Sequence, residues 1–304
     1  MMPNKNLLLI VNPHSGKGKM RGELLSVVEI FSAGGYSVTV YPTRKQGDAT
    51  KYVAALPRDI FDIIVVSGGD GTLNEVITGL MQGKQNIPLG YIPAGTLNEW
   101  SSGLGISRDI KTAAKDLLKG REIVLDIGKF NNRYFSYTAS FGAFTEASYT
   151  TPQDVKNVLG QAAYFFEGIK CLGNIKPIHL SLKSDTKNVE GDFLFGAVSN
   201  SMSVGGIVKF DETLVKLNDG KFEVLLIRNP AKLLQYQNLV DGILRQDLNR
   251  EGIEFFHAND ITIESEDPIS WTLDGEYAPG LSPLHISNLH HAVRLIVPDN
   301  CTTE

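Results

Sequence analysis

The chain has 304 residues, 42% of them hydrophobic and 21% charged, with a formal net charge of −5 and a pI near 5.7. That length builds one large domain or two ordinary ones, each with its own core, and the acidic balance argues against a surface made mainly to hold a nucleic-acid backbone. Two cysteines, Cys171 and Cys301, stand far apart outside any C-x-x-C spacing, against a disulfide framework or a structural zinc site, and no run reaches the ~18 apolar residues of a membrane span.

In chain order, "NLLLIV" at 6 to 11 reads as a strand, and the loop "NPHSGKGK" that follows it does not resemble a signal peptide. Leu24, Val27, Val28 and Phe31 then fall at helical spacing, "YSVTVY" alternates like a strand, and "GDATKYVAAL" predicts a short helix with Tyr52, Val53 and Leu56 inward. "FDIIVVS" is apolar enough for a strand buried on both faces. Leu73, Val76, Ile77 and Leu80 form the next helical face, followed by a strand in "IPLGYI" and a helix in "RDIKTAAKDLLKG". Alternating strands and helices predict a Rossmann-like parallel sheet with flanking helices, binding ligands at the carboxyl ends of its strands.

From about residue 122 the pattern changes. "EIVLDIGKF", "RYFSYTASF", "PIHLSLKS", "GDFLFGAVS", "KFEVLLIRN", "DITIES" and "ISWTLDG" are strand-like, with helical stretches only around 156 to 172 and 231 to 245. The expectation is a nucleotide-binding α/β domain over 1–125 and a mainly antiparallel second domain over 126–284, with 285–304 finishing that sheet or returning to the first domain.

The segment "VVSGGDGTLNEV", 65 to 76, sits between a buried strand and an amphipathic helix. An isolated D-G pair is often only a hairpin turn. Here the flanks make it a helix N-terminus, where unpaired N–H groups and a partial positive charge favour phosphate. Gly68, Gly69 and Gly71 keep side chains out of the way, and Thr72 caps or donates. Asp70 beside phosphate calls for a bridging Mg²⁺ or for an acceptor hydroxyl whose proton it helps remove. The loop "NPHSGKGK" offers Asn12, Ser15 and Gly16 as donors, and "PAGTLNEW" (93 to 100) again sets Gly-Thr before a helix. Neither G-x-x-x-x-G-K-[ST] nor G-x-G-x-x-G fits these loops. The six histidines show no H-E-x-x-H spacing, and His290-His291, read as strand, would point to opposite faces.

"NPHSG", "GGDGTLNE", "PAGTLNEW", "AAYFFEGIKCL", "LNDGKFEVLLI" and "LDGE" occur together in an order that resembles the diacylglycerol kinase catalytic-domain family, which includes bacterial lipid kinases and sphingosine kinases. GGDGT alone marks only a superfamily shared with NAD kinases and phosphofructokinases. The resemblance implies ATP contacts at Asn12, Pro13, Ser15, Gly16, Thr43, Gly68, Gly69, Asp70, Gly71, Thr72, Leu73, Asn74 and Thr96, with Glu99 nearby. It implies a β-sandwich second domain with a lipid site in the interdomain cleft, and Mg²⁺ held by Asp219 and by carbonyls near Lys216 and Lys221. Read by spacing alone, Asn218-Asp219-Gly220 and Asp274-Gly275 are turns.

By the same resemblance Glu276 is the candidate base, with Asp70 and Asp274 beside the transferred phosphoryl group. The expected reaction carries the γ-phosphoryl of ATP to a hydroxyl of diacylglycerol or a related lipid, in a cytoplasmic protein that visits the membrane transiently and binds no nucleic acid; a homodimer is compatible with the sequence. Two departures from the family pattern stand out. Glu99 replaces an aspartate in Gly95-Thr96-Leu97-Asn98-Glu99-Trp100, and Thr145 replaces another in "GAFTEAS", with Glu146 next door. They keep in view a nucleotide-binding regulator that has lost catalysis; the enzymatic rival is an NAD kinase-like enzyme of the same superfamily, against which "NPHSG" and "PAGTLNEW" weigh.

Overall fold

The computed structural model describes residues 5–96, 98–142, 176–204, 208–211, 213–299 and 301. The helical stretch expected at 156 to 172, together with Thr145 and Glu146, lies outside them. The chain forms two compact units, unit 1 from Met1–Ile127 and His290–Glu304 and unit 2 from Gly128–Leu289.

Unit 1 runs β1 (Lys5–Val11), a 3-10 turn at Ser15–Gly18, α1 (Lys19–Ala33), β2 (Tyr36–Pro42), α2 (Asp48–Ala54), β3 (Ile63–Gly68), α3 (Asp70–Gly83), β4 (Leu89–Pro93), α4 (Glu99–Gly103), α5 (Ile110–Lys119) and β5 (Arg121–Phe130), the last of which ends in unit 2. Its sheet has the order β2-β1-β3-β4, every pair parallel, and the end of the final strand adds to β4 with Leu295 opposite Leu89.

The apolar runs dictate this order. Leu7 to Ile10 of β1 and Ile64 to Val66 of β3 are fully buried, as central strands covered on both faces must be. The alternating burial of β2 marks the edge. Helix α3 buries the stripe Leu73, Val76, Ile77 and Leu80. Asp109 caps α5 by accepting from the Thr112 amide at 2.9 Å.

Unit 2 contains β6 (Arg133–Phe135), β7 (Thr138–Gly142), β8 (Ile178–Ser184), β9 (Asn188–Ser199), the short pair β10 (Ser203–Val204) and β11 (Val208–Lys209), β12 (Phe222–Arg228), α6 (Leu233–Arg245), β13 (Ile253–Ala258), β14 (Asp260–Glu264), β15 (Ile269–Leu273), β16 (Glu276–Gly280) and the first part of β17 (Leu284–Val297), which passes into unit 1 at His290. The strands pair antiparallel in the order β16-β15-β7-β9-β8-β14-β17, with β12 also on β9 and β13 on β12.

Side-chain alternation divides the core into two layers. Phe222, Val224 and Leu226 of β12 join Phe141, Phe193 and Trp271 on one face, whereas Leu225 and Ile227 join Leu239 and Ile243 of α6 on the other. The indole of Trp271 meets Phe130 and Phe141 edge-on, at centroid distances of 5.3 and 4.8 Å.

One local expectation fails. His290 and His291 do not point to opposite faces: their rings stack, with centroids 3.6 Å apart and planes at 28°. His291 has φ +53°, a left-handed conformation that breaks strand alternation. Both histidines are exposed, and burial along β17 shifts phase around them, from Leu284, Ile286 and Asn288 before the pair to Val293, Leu295 and Val297 after it.

Candidate active site

In unit 1 the loops at the carboxyl ends of β1, β2, β3 and β4 are tied to one another. The first joins the third twice, because Asn12 donates its amide N–H to the Ser67 carbonyl at 2.9 Å and its side-chain Nδ2 to Thr72 Oγ1 at 3.0 Å. It packs against the fourth through Gly16, whose φ of +54° and close approach leave no room for a side chain, since a Cβ there would overlap the Ala94 carbonyl oxygen. The second is tied to the first through Thr43, which is buried and bonds the Val11 carbonyl through both its amide (2.9 Å) and its hydroxyl (3.4 Å).

The turn at Gly68–Thr72 is a helix start. Gly69 is the extended N-cap of α3, and its carbonyl accepts from the Thr72 and Leu73 amides at 3.0 and 3.1 Å. Those two amides therefore already have an acceptor, and Leu73 turns its side chain into the core, 1% exposed. Asn74 accepts from the Thr78 hydroxyl at 3.3 Å. Glu75, one residue further on, accepts from the Gly47 and Ala49 amides at 2.8 and 3.2 Å, so α3 also holds the loop after β2.

The fourth loop is held from below. Asn98, left-handed at φ +50°, accepts from the Gly95 amide at 3.0 Å and donates to the Gly95 carbonyl at 2.9 Å. The buried Tyr91 hydroxyl bridges Asn98 Oδ1 at 3.1 Å and the Gly68 carbonyl at 3.2 Å. Burial first, and then the neighbouring Asp70 charge, push the Tyr91 phenol well above the usual tyrosine range, with Arg108 opposing. Tyr91 is thus a neutral donor between two phosphate-loop candidates. The sequence showed it only as one aromatic in a strand, and the signal that finds it is a polar tip at the buried carboxyl end of β4.

Among the other expected contacts, Pro13 offers its carbonyl to Arg21 Nε at 3.0 Å, Ser15 opens the 3-10 turn with its amide on the Asn12 carbonyl at 3.3 Å, and Thr96 is exposed. Glu99 is the first residue of α4.

In unit 2, Asp274 and Gly275 form a two-residue turn between β15 and β16, with φ of +50° and +84°. This is the left-handed pair that Asp-Gly hairpins favour. The buried Asp274 carboxylate accepts from the Ser136 amide at 2.6 Å and from the Tyr137 and Thr138 amides at 3.0 Å each, and the Asp274 amide returns a bond to the Thr138 carbonyl at 2.9 Å. Glu276, two residues on, opens β16 and is exposed, as is Tyr277. The two acids therefore differ in kind: one anchors the hairpin and the other stands on it.

Lys216, Asp219 and Lys221 lie in an exposed turn before β12, where Asp219 Oδ1 accepts from the Lys221 amide at 3.0 Å. One carboxylate beside main-chain carbonyls is an all-oxygen donor set of the kind that suits Mg²⁺. No helix among the described residues is long and apolar enough to cross a membrane.

Two family models match the chain, the diacylglycerol kinase catalytic domain over residues 6–130 and the YegS C-terminal NAD kinase beta sandwich-like domain over 139–297. The chain is 33% identical over 296 residues to a diacylglycerol kinase of Bacillus subtilis (strain 168), covering 97% of each, and 32% identical over 302 residues to one of Staphylococcus aureus (strain MRSA252), covering 99% of this chain and 95% of that one. It superposes on a crystal structure of a diacylglycerol kinase from Bacillus anthracis str. Sterne with a TM-score of 0.77 and 26% identity, over 99% of this chain and 100% of that one.

Proposed function

The chain belongs to the diacylglycerol kinase family and is a lipid kinase, and from that premise we propose that it transfers the γ-phosphoryl group of ATP to a free hydroxyl of diacylglycerol, giving a phosphatidate-type product. The observation that carries the nucleotide half of the reading is the joined set of glycine-edged loops in unit 1, above all the start of α3 bonded to Asn12.

In this proposal the triphosphate lies along those loops. Gly68, Gly69 and Gly71 let it approach the backbone, and the first turn of α3 supplies N–H groups and the positive end of the helix dipole. With the Thr72 and Leu73 amides already bonded to Gly69, the contacts expected of those two residues narrow to the Thr72 hydroxyl. Asn12, Ser15 and Gly16 border the same edge, Thr96 stands at the fourth loop, and Thr43 acts by shaping the second. Asp70, whose charge acts on the neutral Tyr91, is the proposed acid at the phosphate end.

Glu276 is the proposed general base. Its carboxylate takes the hydroxyl proton as the lipid oxygen bonds to the γ-phosphorus and the bond from that phosphorus to the β–γ bridging oxygen breaks, releasing ADP. Asp274, held by three amides, is proposed as a positioning residue for Glu276. Mg²⁺, when bound, offsets phosphate charge; Asp219 and the carbonyls of Lys216 and Lys221 are the proposed ligands. Because diacylglycerol resides in a bilayer, the reaction entails transient contact with a membrane surface.

The test is an assay with labelled ATP and Mg²⁺ against diacylglycerol in mixed micelles, sphingosine and NAD⁺ as parallel acceptors. Label on diacylglycerol, lost in Glu276→Gln, is the expected result. Label on NAD⁺ alone would replace the lipid acceptor, and full activity of Glu276→Gln would remove the base.

A further inference from the structure

Around the His290–His291 pair the structure gathers three donor groups that the phosphotransfer does not use. Asp126 on β5 is fully buried, and its Oδ1 lies 3.1 Å from His290 Nδ1 while accepting the His291 amide at 2.8 Å. One ligand atom from each of Asp126, His290 and His291 can be chosen so that all three lie within 4.8 Å of one another. All three residues belong to unit 1. We propose that Asp126, His290 and His291 form a binding site for a transition-metal dication, Zn²⁺ in the first instance.

Three physical points carry the assignment. A tetrahedral Zn²⁺ with ligands at about 2.0 to 2.1 Å sets its donor atoms about 3.3 Å apart. The 3.1 Å between Asp126 Oδ1 and His290 Nδ1 is close to that edge, so one ion can replace the proton between them with little movement. Two imidazoles and one carboxylate are also a borderline-soft set that suits Zn²⁺ and disfavours the hard, oxygen-seeking Mg²⁺ of a kinase. Finally, the His290 side chain is 51% exposed, which gives an ion a path in and a water as fourth ligand.

The left-handed His291 is what makes the site. In a regular strand its ring would leave the opposite face, whereas here it lies on its neighbour's, and the backbone amide beside it orients the carboxylate. A second histidine–carboxylate contact, His179 Nδ1 to Asp192 Oδ1 at 2.7 Å, lacks this arrangement: both side chains are more than half exposed, and Glu190 reaches only the other ring nitrogen, Nε2, at 4.0 Å, so the three do not close into a donor cluster. It serves as the internal control.

The experiment uses the full chain, stripped with a chelator that is then removed, and titrated with Zn²⁺ alone by calorimetry at pH 7.5. One equivalent should bind with a dissociation constant of micromolar or below and raise Tm. His290→Gln and His291→Asn, the latter chosen because asparagine tolerates a left-handed backbone, should each weaken binding at least about tenfold, while His179→Gln leaves it unchanged. Co²⁺ added to the wild-type chain should give tetrahedral visible bands that Zn²⁺ abolishes, a readout needing no variant. No stoichiometric Zn²⁺ uptake by the wild-type chain, or uptake equal in the two histidine variants, would overturn the site. Because each readout is metal binding, the result is independent of the acceptor named above.

Discussion

Asn12 and Thr72 are 60 residues apart in sequence, and their side chains meet at 3.0 Å, Nδ2 donating to Oγ1. The bond fixes the loop after β1 against the first turn of α3, the two segments proposed to share the triphosphate. Thr72→Val removes the acceptor and any hydroxyl contact with phosphate while keeping the shape. Loss of one such bond is worth about 1 kcal/mol. We expect KM for ATP to rise about fivefold, or more if the hydroxyl also contacts phosphate, with KM for the lipid unchanged. An unchanged KM for ATP would detach Thr72 from the nucleotide.

Gly16 gives a backbone prediction. Gly16→Ala combines strain at φ +54° with overlap on the Ala94 carbonyl, a main-chain atom that cannot swing aside. A non-glycine residue in that conformation costs about 1 to 2 kcal/mol before the clash is counted. Thermal unfolding should shift down by several degrees and ATP affinity should fall with it. Wild-type values for both would show that the loop between β1 and α1 is freer than its packing implies.

The two acids of the β15–β16 hairpin should separate by assay. Glu276→Gln is expected to lower kcat about 100-fold or more with little change in Tm, since the side chain is exposed. Asp274→Asn puts an NH₂ group among three amide donors, so urea unfolding should report a loss of about 2 to 4 kcal/mol. If Asp274→Asn keeps its stability and loses only kcat, Asp274 belongs to the chemistry rather than to its support.

Tyr91 predicts a pH dependence with a definite sign. Its folded-state pKa is raised, so the protonated phenol's contribution to stability is fully present below the ordinary tyrosine value of ~10 and is lost as pH climbs from there toward the folded value. Tyr91→Phe should be less stable at neutral pH by about 1 kcal/mol, through the lost hydrogen bonds to Asn98 and Gly68. The gap between the two proteins should narrow above pH ~10. A gap constant from pH 7 to 11 would mean that the phenol is not held neutral.

Where a segment's periodicity was set by burial, the sequence was legible. The apolar runs of β1 and β3 and the stripe of α3 announced themselves because each must hide one or two faces. The glycine loop could be placed at the carboxyl edge because a buried strand entered it and an amphipathic helix left it. Strands β13 and β16 carry no clear periodic signal, since "IEFFHA" mixes charge with aromatics and "EYAPG" is stabilised by its hairpin rather than its composition.

Side-chain roles were less legible than elements. Nothing local in "LDGE" says that the aspartate is claimed by amides near residue 137, a long-range closure that only folding creates. Tyr91 carries no motif, and Asn98, although part of "PAGTLNEW", gives no local sign that it holds the fourth loop from beneath. The histidine pair departs from the strand pattern because one left-handed residue, His291, breaks the alternation there.

That break has a consequence of its own. Along β17 the inward residues are even-numbered up to Asn288 and odd-numbered from Val293, so the His290–His291 step works as a frame shift within a single strand. Deleting one residue there would bring Val293, Leu295 and Val297 onto the even frame, so that unbroken alternation points them inward without a kink, and adding one would do the same. A change of two residues leaves the halves out of phase, so the kink has to stay. Whether the strand keeps its kink should therefore follow the parity of an insertion or deletion there rather than its size.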